Sequence, residues 1–227
     1  MKIIFLNTWN GKIKDKITEF IKGHSKDTDV FCFQEVYPEM RQLCQELLLD
    51  YDEFFAYKQI EGDDFPQASY VRKKLRAFSS AVLEGQANTG LGVNIGINIK
   101  GKIIHICNFH GRYRPGHKLD TSERLGQSKG LIEFFKGKQG LKIIGGDFNM
   151  LPNTESMRMF SENGYRDLIK EFDVKTTRNQ LAWAMYPDNP QYYSDYVFLS
   201  PDVRLKIFSV PNLEISDHEP LILEIEA

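Results

Sequence analysis

Acidic, amide and histidine side chains stand at the ends of several short apolar segments of this 227-residue sequence. Each segment is long enough to form one buried strand, and when strands lie side by side their ends can meet at one rim. Residues that are far apart in the sequence would then share one site. The residues concerned are Asn7, Glu35, His110, Asp147, Asn149, Asp195, Asp217 and His218.

These residue types indicate a particular kind of metal chemistry. Oxygen ligands from Glu, Asp and Asn suit Mg²⁺ or Mn²⁺, which keep several waters that a substrate phosphate can replace. A zinc site would call for more histidine or cysteine than the set contains. Histidines beside such a cation can move protons and contact a phosphate, so the set predicts metal-assisted hydrolysis of a phosphoester.

Taken singly, several of these side chains also have an ordinary structural interpretation. Asn7 fits a turn at a strand end, Asp147 a turn after two glycines, and Asn149 the cap of a helix. Glu35 differs, because a charge that follows four apolar residues and Gln34 is partly buried and needs a partner. The prediction of a site therefore depends on the whole set.

Short apolar strands alternate with amphipathic helices along the chain, and this alternation predicts the framework that must position the candidate residues. Strands are predicted at 2–6, 30–33, 81–83, 93–99, 103–109, 141–145, 193–199, 203–210 and 221–225. Helices are predicted around 13–21, 40–48 and 154–161, with another that begins at a capping box of Asp120 and Glu123. Segment 51–70 shows no clear period, and 180–191 is predicted to be an aromatic loop. This pattern favours a mixed α/β layered fold.

The composition restricts the class of protein. The sequence is 41% hydrophobic and 26% charged, with a net charge of −2 and a pI of about 6.2, as in ordinary soluble proteins. This balance excludes a protein that is held to nucleic acid by bulk positive charge, but it leaves a local basic groove open. No apolar run approaches the roughly 20 residues needed to cross a bilayer, and the N-terminus lacks a secretory pattern, so we expect a cytoplasmic protein.

Three widely spaced cysteines, Cys32, Cys44 and Cys107, lie in apolar runs and are expected to be reduced core residues. The chain has no repeat and no linker rich in proline or serine, which favours one domain over residues 1–227. We expect this domain to be monomeric.

Six short segments carry the candidate residues: Leu6–Trp9, Cys32–Val36, Asn108–His110, Gly146–Asn149, Ser194–Phe198 and Ser216–Leu221. Together, and in this order, they resemble the endonuclease/exonuclease/phosphatase superfamily, the group that includes deoxyribonuclease I. The resemblance implies a compact, bacterial-type member that folds as a four-layer α/β/β/α sandwich. Two mixed sheets would pack face to face, with helices outside and one active site at the rim.

The resemblance also implies a metal site. Glu35 would be the principal Mg²⁺ ligand, with Mn²⁺ as the alternative ion. Asn7 would lie in the same site, and Asp217 would contribute a further ligand.

Catalytic roles follow from the resemblance for the remaining residues. Asp147 and Asn149 would orient the attacking water and the scissile phosphate. His218 would stand beside the phosphorus and be held by Asp195, while His110 would hydrogen-bond the phosphate as negative charge develops. Because an acid beside an imidazole raises its pKa and fixes its tautomer, such a pair is chemically useful. Whether Asp147 or His218 takes the proton from water stays open.

The sequence departs from the family pattern in ways that affect the substrate. The segments between the strands are short, which removes the insertions that often select a substrate, and Ser194 precedes Asp195 where an aliphatic residue is common. The loop behind His110 carries Arg112, Tyr113 and Arg114, which could bind a second phosphate or stack on a base. A solvated loop is the alternative.

Three function classes remain. The favoured one is a phosphodiesterase or nuclease that acts on DNA or RNA by in-line attack of an activated water. The alternative is a phosphatase or phosphodiesterase for a small molecule or a lipid headgroup. The third is a binding protein that kept the fold and lost catalysis, and the complete set of acids, amides and histidines argues against it.

Overall fold

The computed structural model describes residues 1–83, 90–188 and 191–227. The strands are β1 (Lys2–Asn7), β2 (Val30–Gln34), β3 (Tyr51–Ala56), β4 (Gln59–Ile60), β5 (Asp63–Asp64), β6 (Gln67–Arg72), β7 (Phe78–Val82), β8 (Leu91–Ile99), β9 (Lys102–His110), β10 (Leu141–Asp147), β11 (Arg166–Asp167), β12 (Asp195–Leu199), β13 (Leu205–Ser209) and β14 (Leu221–Ile225). The α-helices are α1 (Lys14–His24), α2 (Pro38–Leu47), α3 (Ser122–Lys136), α4 (Glu155–Glu162), α5 (Leu168–Glu171) and α6 (Gln180–Met185).

The strands form two mixed sheets of six strands each, and β4 and β5 make a separate hairpin. The order in the first sheet is β13-β14-β1-β2-β6-β3, and the order in the second is β11-β12-β10-β9-β8-β7. One parallel pair lies near the middle of each sheet, β1 with β2 and β9 with β10. Since the carboxyl ends of parallel neighbours lie at the same edge, these two pairs define the rim on which the site is built.

The two sheets pack face to face through alternate residues of their central strands. Ile3 and Phe5 of β1 and Cys32 of β2 belong to one buried cluster with residues of the second sheet. Gly145 on β10 is required by this contact, because a Cβ there would lie 2.8 Å from the ring of Phe5. The sheets therefore approach closely just below the rim.

Helices cover both outer faces and complete the four layers predicted from the sequence. Phe20 of α1 and Met40 of α2 pack on the outward residues of the first sheet. Leu131 and Phe135 of α3 and Phe160 of α4 pack on the second sheet. The fold is thus the expected α/β/β/α sandwich.

Two predicted local structures were wrong. Asp120 does not cap α3; Thr121 does, by accepting a hydrogen bond from the backbone N–H of Arg124. The Asp120 carboxylate instead accepts from the N–H groups of Glu155 and Ser156, at 2.7 and 2.9 Å, and so caps α4. Tertiary contact between the two helix starts, which local spacing cannot reveal, decides this difference.

The segment predicted as an aromatic loop contains α6, which starts where Asn179 accepts a hydrogen bond from the N–H of Leu181. Residues 189 and 190 of that segment lie outside the described residues. Segment 51–70, which shows no clear period in the sequence, forms β3, the β4–β5 hairpin and the first part of β6. β3 is mostly half-buried at one edge of its sheet, which explains why its alternation is weak.

All three cysteines are buried and free of disulfides, as predicted. Within the described ranges, no helix is long and apolar enough to cross a membrane.

Candidate active site

Strand register aligns three candidate residues in one row across the second sheet. Asp147, the last residue of β10, pairs with His110 on parallel β9 and with Asp195 on antiparallel β12. All three are at most 4% exposed. The apolar strands therefore end together, and the row of polar side chains lies at the rim.

Asn7 joins the two sheets at this rim. Its Nδ2 donates to Glu35 Oε1 and to Asp147 Oδ2, both at 3.0 Å. The backbone N–H of Trp9 donates to Asn7 Oδ1, which fixes the orientation of the amide. The observed contacts make Asn7 a clamp on two carboxylates, and its role as a metal ligand stays a prediction.

The carboxylate of Asp147 has a defined orientation. Its Oδ1 accepts from Ser194 Oγ at 2.6 Å and from the N–H of Asn149 at 2.9 Å. Its Oδ2 lies 3.9 Å from His110 Nε2 and 3.8 Å from His218 Nε2. Oδ1 is thus anchored by Ser194 and Asn149, whereas Oδ2, which also accepts from Asn7, faces the histidines.

Asp147 is held in its ionised form. Burial by itself raises the pKa of the carboxyl group. His218, His110 and the ammonium group of Lys118 lower this pKa, and together they outweigh burial. The pKa of Asp147 therefore lies well below its usual range. The Asp147 carboxylate is therefore in the ionised form that is needed to orient a water or a cation.

His218 and Asp195 form a buried pair. Nδ1 of His218 lies 3.0 and 2.9 Å from the two carboxylate oxygens, so Nε2 is the nitrogen near Asp147. Burial and the nearby Arg178 lower the pKa of the imidazole, whereas the surrounding carboxylates, Asp195 first, raise it. The net effect is a pKa above the ordinary value of histidine.

Asp217 has an additional partner, which sequence analysis missed. Nη2 of Arg178 donates to Asp217 Oδ2 at 2.6 Å, and its Nε donates to the Asp217 carbonyl at 3.0 Å. Arg178 is 7% exposed and forms a bridge to His218 through the backbone. No pattern around Arg178 could have found it, because its partner lies 39 residues further along the chain.

A second buried cation, Lys118, was also not singled out as a site residue. Its Nζ donates to Ser194 Oγ at 2.9 Å and to the Tyr193 carbonyl at 3.3 Å. Burial lowers the pKa of Lys118 to about 8. The one signal in the sequence that could have identified Lys118 is its position in the basic loop that follows His110.

Positive backbone angles occur at five non-glycine residues around the site. The φ angle is 47° at Trp9, 52° at Asn10, 56° at Glu35, 55° at Lys118 and 53° at Asn149. Such conformations each cost about 1–3 kcal/mol and persist where the surrounding structure imposes them. At Glu35 the turn follows the end of β2 and directs the chain around the rim.

An open cleft of about 550 Å³ collects these side chains. The residues of the predicted site that line it are Glu35, His110, Asp147, Asn149, Asp217 and His218, together with Lys118 and Arg178. Asn7 and Asp195 stand behind this lining, where they contact Asp147 and His218. The fold thus brings together all eight residues that the sequence predicted for the metal site and the catalytic set.

The donor chemistry of the cleft fits a hard divalent cation. Glu35, Asp147 and Asp217 offer carboxylate oxygens there, and such oxygens suit Mg²⁺ or Mn²⁺. In the described part of the chain, one group of three acids and histidines has ligand atoms within 4.8 Å of one another: Asp147, Asp195 and His218. Because Asp195 contacts His218 Nδ1 with both oxygens, we assign those two residues to a hydrogen-bonded pair.

The loop predicted to bind substrate is tied to acids of the β4–β5 hairpin and its turn. Arg112 pairs with Glu61, and Arg114 Nε lies 2.9 Å from Asp63. Tyr113 donates to Asp63 at 2.7 Å, and its side chain reaches the edge of the cleft. The charges of the two arginines are thus compensated within the protein.

Behind this loop, Arg124 supports the backbone. Arg124 is 1% exposed, and its guanidinium donates to the carbonyls of Arg112, Tyr113, Pro115 and Leu119, at 3.2, 3.0, 2.7 and 2.7 Å. Five donors in a rigid fork suit this task. The loop that carries Lys118 is therefore held from inside the protein.

Fold and site together define a layered α/β protein that gathers carboxylates and histidines around one cleft. The model of the Endonuclease/Exonuclease/phosphatase family matches residues 5–218, and the chain belongs to this family. The activities in the family's name are all hydrolyses of phosphoesters.

Several solved structures share the fold at low sequence identity. A family member from Leptotrichia buccalis C-1013-b is 20% identical with a TM-score of 0.73, and all of both chains is covered. The Bacteroides thetaiotaomicron mannosyl-6-phosphatase Bt3783 is 16% identical with a TM-score of 0.75, also over all of both chains. D. rerio TDP2 in complex with single-strand DNA product is 15% identical with a TM-score of 0.73, over 100% of this chain and 99% of that one. No curated protein matches the chain.

Proposed function

We propose that this protein hydrolyses phosphoesters with the help of Mg²⁺ or Mn²⁺, and that its substrate is a phosphodiester of DNA or RNA. The observation that carries the proposal is the Asn7 amide, which holds Glu35 and Asp147 from opposite sheets at 3.0 Å each. Through this contact an acid from each sheet lines one cleft together with two histidines.

The chemistry follows from the charges. A phosphodiester repels hydroxide, so catalysis must neutralise the non-bridging oxygens and align water with the leaving oxygen. Glu35 and Asp217 would hold the cation, which supplies positive charge to the phosphate. His110 would donate a hydrogen bond to a phosphate oxygen as negative charge develops, and His218, whose Nε2 lies 3.9 Å from Asp217 Oδ1, would stand beside the phosphorus.

Orientation of the nucleophile falls to Asp147 and Asn149. Asp147 Oδ2 is the oxygen directed towards the histidines and is suited to hold water for attack. Asp195 keeps the Nδ1 proton of His218 in place, so Nε2 is the nitrogen available to exchange a proton. Both Asp147 and His218 stay candidates for the group that takes the proton from water.

A metal-dependent assay tests this proposal. Purified protein should hydrolyse bis-p-nitrophenyl phosphate, lose activity with EDTA and regain it with Mg²⁺ or Mn²⁺. Glu35→Gln should lower kcat by ~10² or more, and Asp147→Ala and His218→Ala should do the same. Glu39→Gln on α2 is the matched control outside the cleft. Wild-type rates in folded Glu35→Gln protein would disprove the assignment.

A specific observation favours a second candidate, a phosphatase or phosphodiesterase of a small molecule or lipid headgroup. Arg112 and Arg114 are paired with Glu61 and Asp63, so they offer less charge to a polymer with many phosphates. The salt dependence of kcat/KM separates the candidates, since a polynucleotide gives a steep slope and a single small ester a shallow one. Plasmid DNA, single-stranded RNA and inositol phosphates form a suitable panel.

We further propose one monomeric domain over residues 1–227 that works in the cytoplasm. The family match over residues 5–218 supports the single domain. Three buried, unpaired cysteines support a reducing compartment. Sedimentation and cell fractionation test the oligomeric state and the location.

A further inference from the structure

Lys118 lies at the start of a chain of hydrogen bonds that ends on the catalytic carboxylate. The side chain is 4% exposed, and its Nζ donates to Ser194 Oγ at 2.9 Å. An ammonium group can only donate, so Ser194 accepts this bond and must send its own proton elsewhere.

The geometry selects one acceptor for the hydroxyl proton of Ser194. Asp147 Oδ1 lies 2.6 Å from Ser194 Oγ, whereas Asn149 Oδ1 is 3.5 Å away. The short bond is directed to the ionised acid and is the stronger of the two. Lys118 thereby determines the direction of the Ser194 hydroxyl.

We propose that Lys118 and Ser194 act as a relay that positions the Asp147 carboxylate for the hydrolysis proposed above, on which this inference rests. The relay fixes Oδ1, together with the N–H of Asn149, whereas Oδ2 accepts from Asn7 and faces the histidines of the cleft. Both are positioning residues that act through Asp147. Ser194, which stands where an aliphatic residue is common in the family, makes the relay a feature of this chain.

The charge of Lys118 matters as well as its shape. A cationic donor polarises the Ser194 hydroxyl and strengthens its bond to Asp147, more so in a buried site. If Lys118 were a neutral amine, it could accept a hydrogen bond from the Ser194 hydroxyl. The hydroxyl would then donate to Lys118 and not to Asp147, which reverses the relay. The groups that face Lys118 are Arg178, which opposes its charge, and the acids Asp147, Asp195 and Asp217, which favour it.

Kinetics of a double-mutant cycle test the relay. With bis-p-nitrophenyl phosphate and Mg²⁺, Lys118→Met and Ser194→Ala should each lower kcat about tenfold or more. Because both act through one bond, the double variant should be about as slow as either single variant. Lys12→Met, which removes another lysine from the same cleft, is the control, and its effect should multiply with that of Ser194→Ala.

The pH profile separates positioning from a merely structural role. Wild-type kcat should fall as the pH rises past about 8, the pKa of Lys118. Lys118→Arg should keep its activity to higher pH, and Ser194→Ala should lack this alkaline limb. Thermal unfolding of each variant checks that the fold is retained.

A measurement without substrate or metal makes the two proposals separable. In lysine-labelled protein, the NMR titration midpoint of the Lys118 ε-carbon should shift in Ser194→Ala and stay unchanged in Ser209→Ala, an exposed serine on β13. If wild-type protein shows no metal-dependent hydrolysis, the proposed function is wrong whatever the midpoint does. If hydrolysis is present but the effects of Lys118→Met and Ser194→Ala multiply, or either variant keeps kcat within twofold of wild type, the relay alone is disproved.

Discussion

Both carboxylate oxygens of Asp195 lie within 3.0 Å of Nδ1 of His218, in a pair that is buried below the cleft. The acid fixes which ring nitrogen faces the reacting groups, and it contributes to the raised pKa of the imidazole. The pair connects the second sheet, through β12, to the turn before β14 of the first.

Asp195→Asn tests this relationship. The amide keeps the shape but removes the charge, so kcat should fall by ~10² or more. The pKa of His218 should also fall, and the limb of the pH–rate profile that reports His218 should move to lower pH. Asp202→Asn, an exposed acid, is the control. An unchanged profile in Asp195→Asn would contradict the assigned pairing.

Arg178→Met tests the buried ion pair with Asp217. Because the change leaves an uncompensated carboxylate, the free energy of unfolding should fall by about 3 kcal/mol or more. Arg178→Met combined with Asp217→Asn should recover part of this loss, since both charges are then gone. Urea denaturation at neutral pH measures both.

The matched comparison for that pair is Arg41→Met, which breaks a pair with Glu53 whose side chains are 37% and 19% exposed. A pair that is accessible to water contributes little, so we expect a loss of less than about 1 kcal/mol. Equal losses at Arg41 and Arg178 would mean that burial does not determine the strength of the Arg178–Asp217 pair.

Glu219→Gln tests the pH dependence of stability. Burial raises the pKa of Glu219 to about 7, from 4.5 for an ordinary exposed glutamate. The folded protein therefore holds a proton that the unfolded chain has lost, and this stabilisation is present below pH 4.5 and is lost as the pH rises through 7. The decline of the thermal unfolding midpoint over this range should be shallower in Glu219→Gln than in wild type. Glu162→Gln, an exposed acid on α4, should behave as wild type.

Arg124→Met tests the support of the loop that carries Lys118. Four carbonyls lose their donor, so we expect a loss of about 2 kcal/mol or more in unfolding free energy and roughly a tenfold lower kcat. Arg124→Lys should recover little, because an ammonium cannot reproduce the fork of the guanidinium. Arg158→Met on the exposed side of α4 should leave both values unchanged. Wild-type activity in Arg124→Met would show that the loop keeps its shape without this support.

Sequence analysis predicted the layered fold and the grouping of the eight candidate residues at one rim because the information is local in both. Asn7 and Asp147 each come at the end of an apolar run that is long enough to form a strand. Such a sequence puts a polar group at a strand end whatever the strand's neighbours are. Parallel pairs then bring such ends to one edge of a sheet. The eight acids, amides and histidines were therefore visible as a set in the sequence.

Only the tertiary structure decided which of these groups contact one another. The Asn7 clamp depends on how closely the two sheets approach, and the Arg178–Asp217 pair on a loop that returns across the rim. Lys118 became a site residue because its Nζ meets Ser194, 76 positions further along the chain. Periodicity and spacing predict which face of a segment is buried and which is exposed to water. Contacts between side chains that are far apart in the sequence depend instead on how segments without a common local pattern pack together.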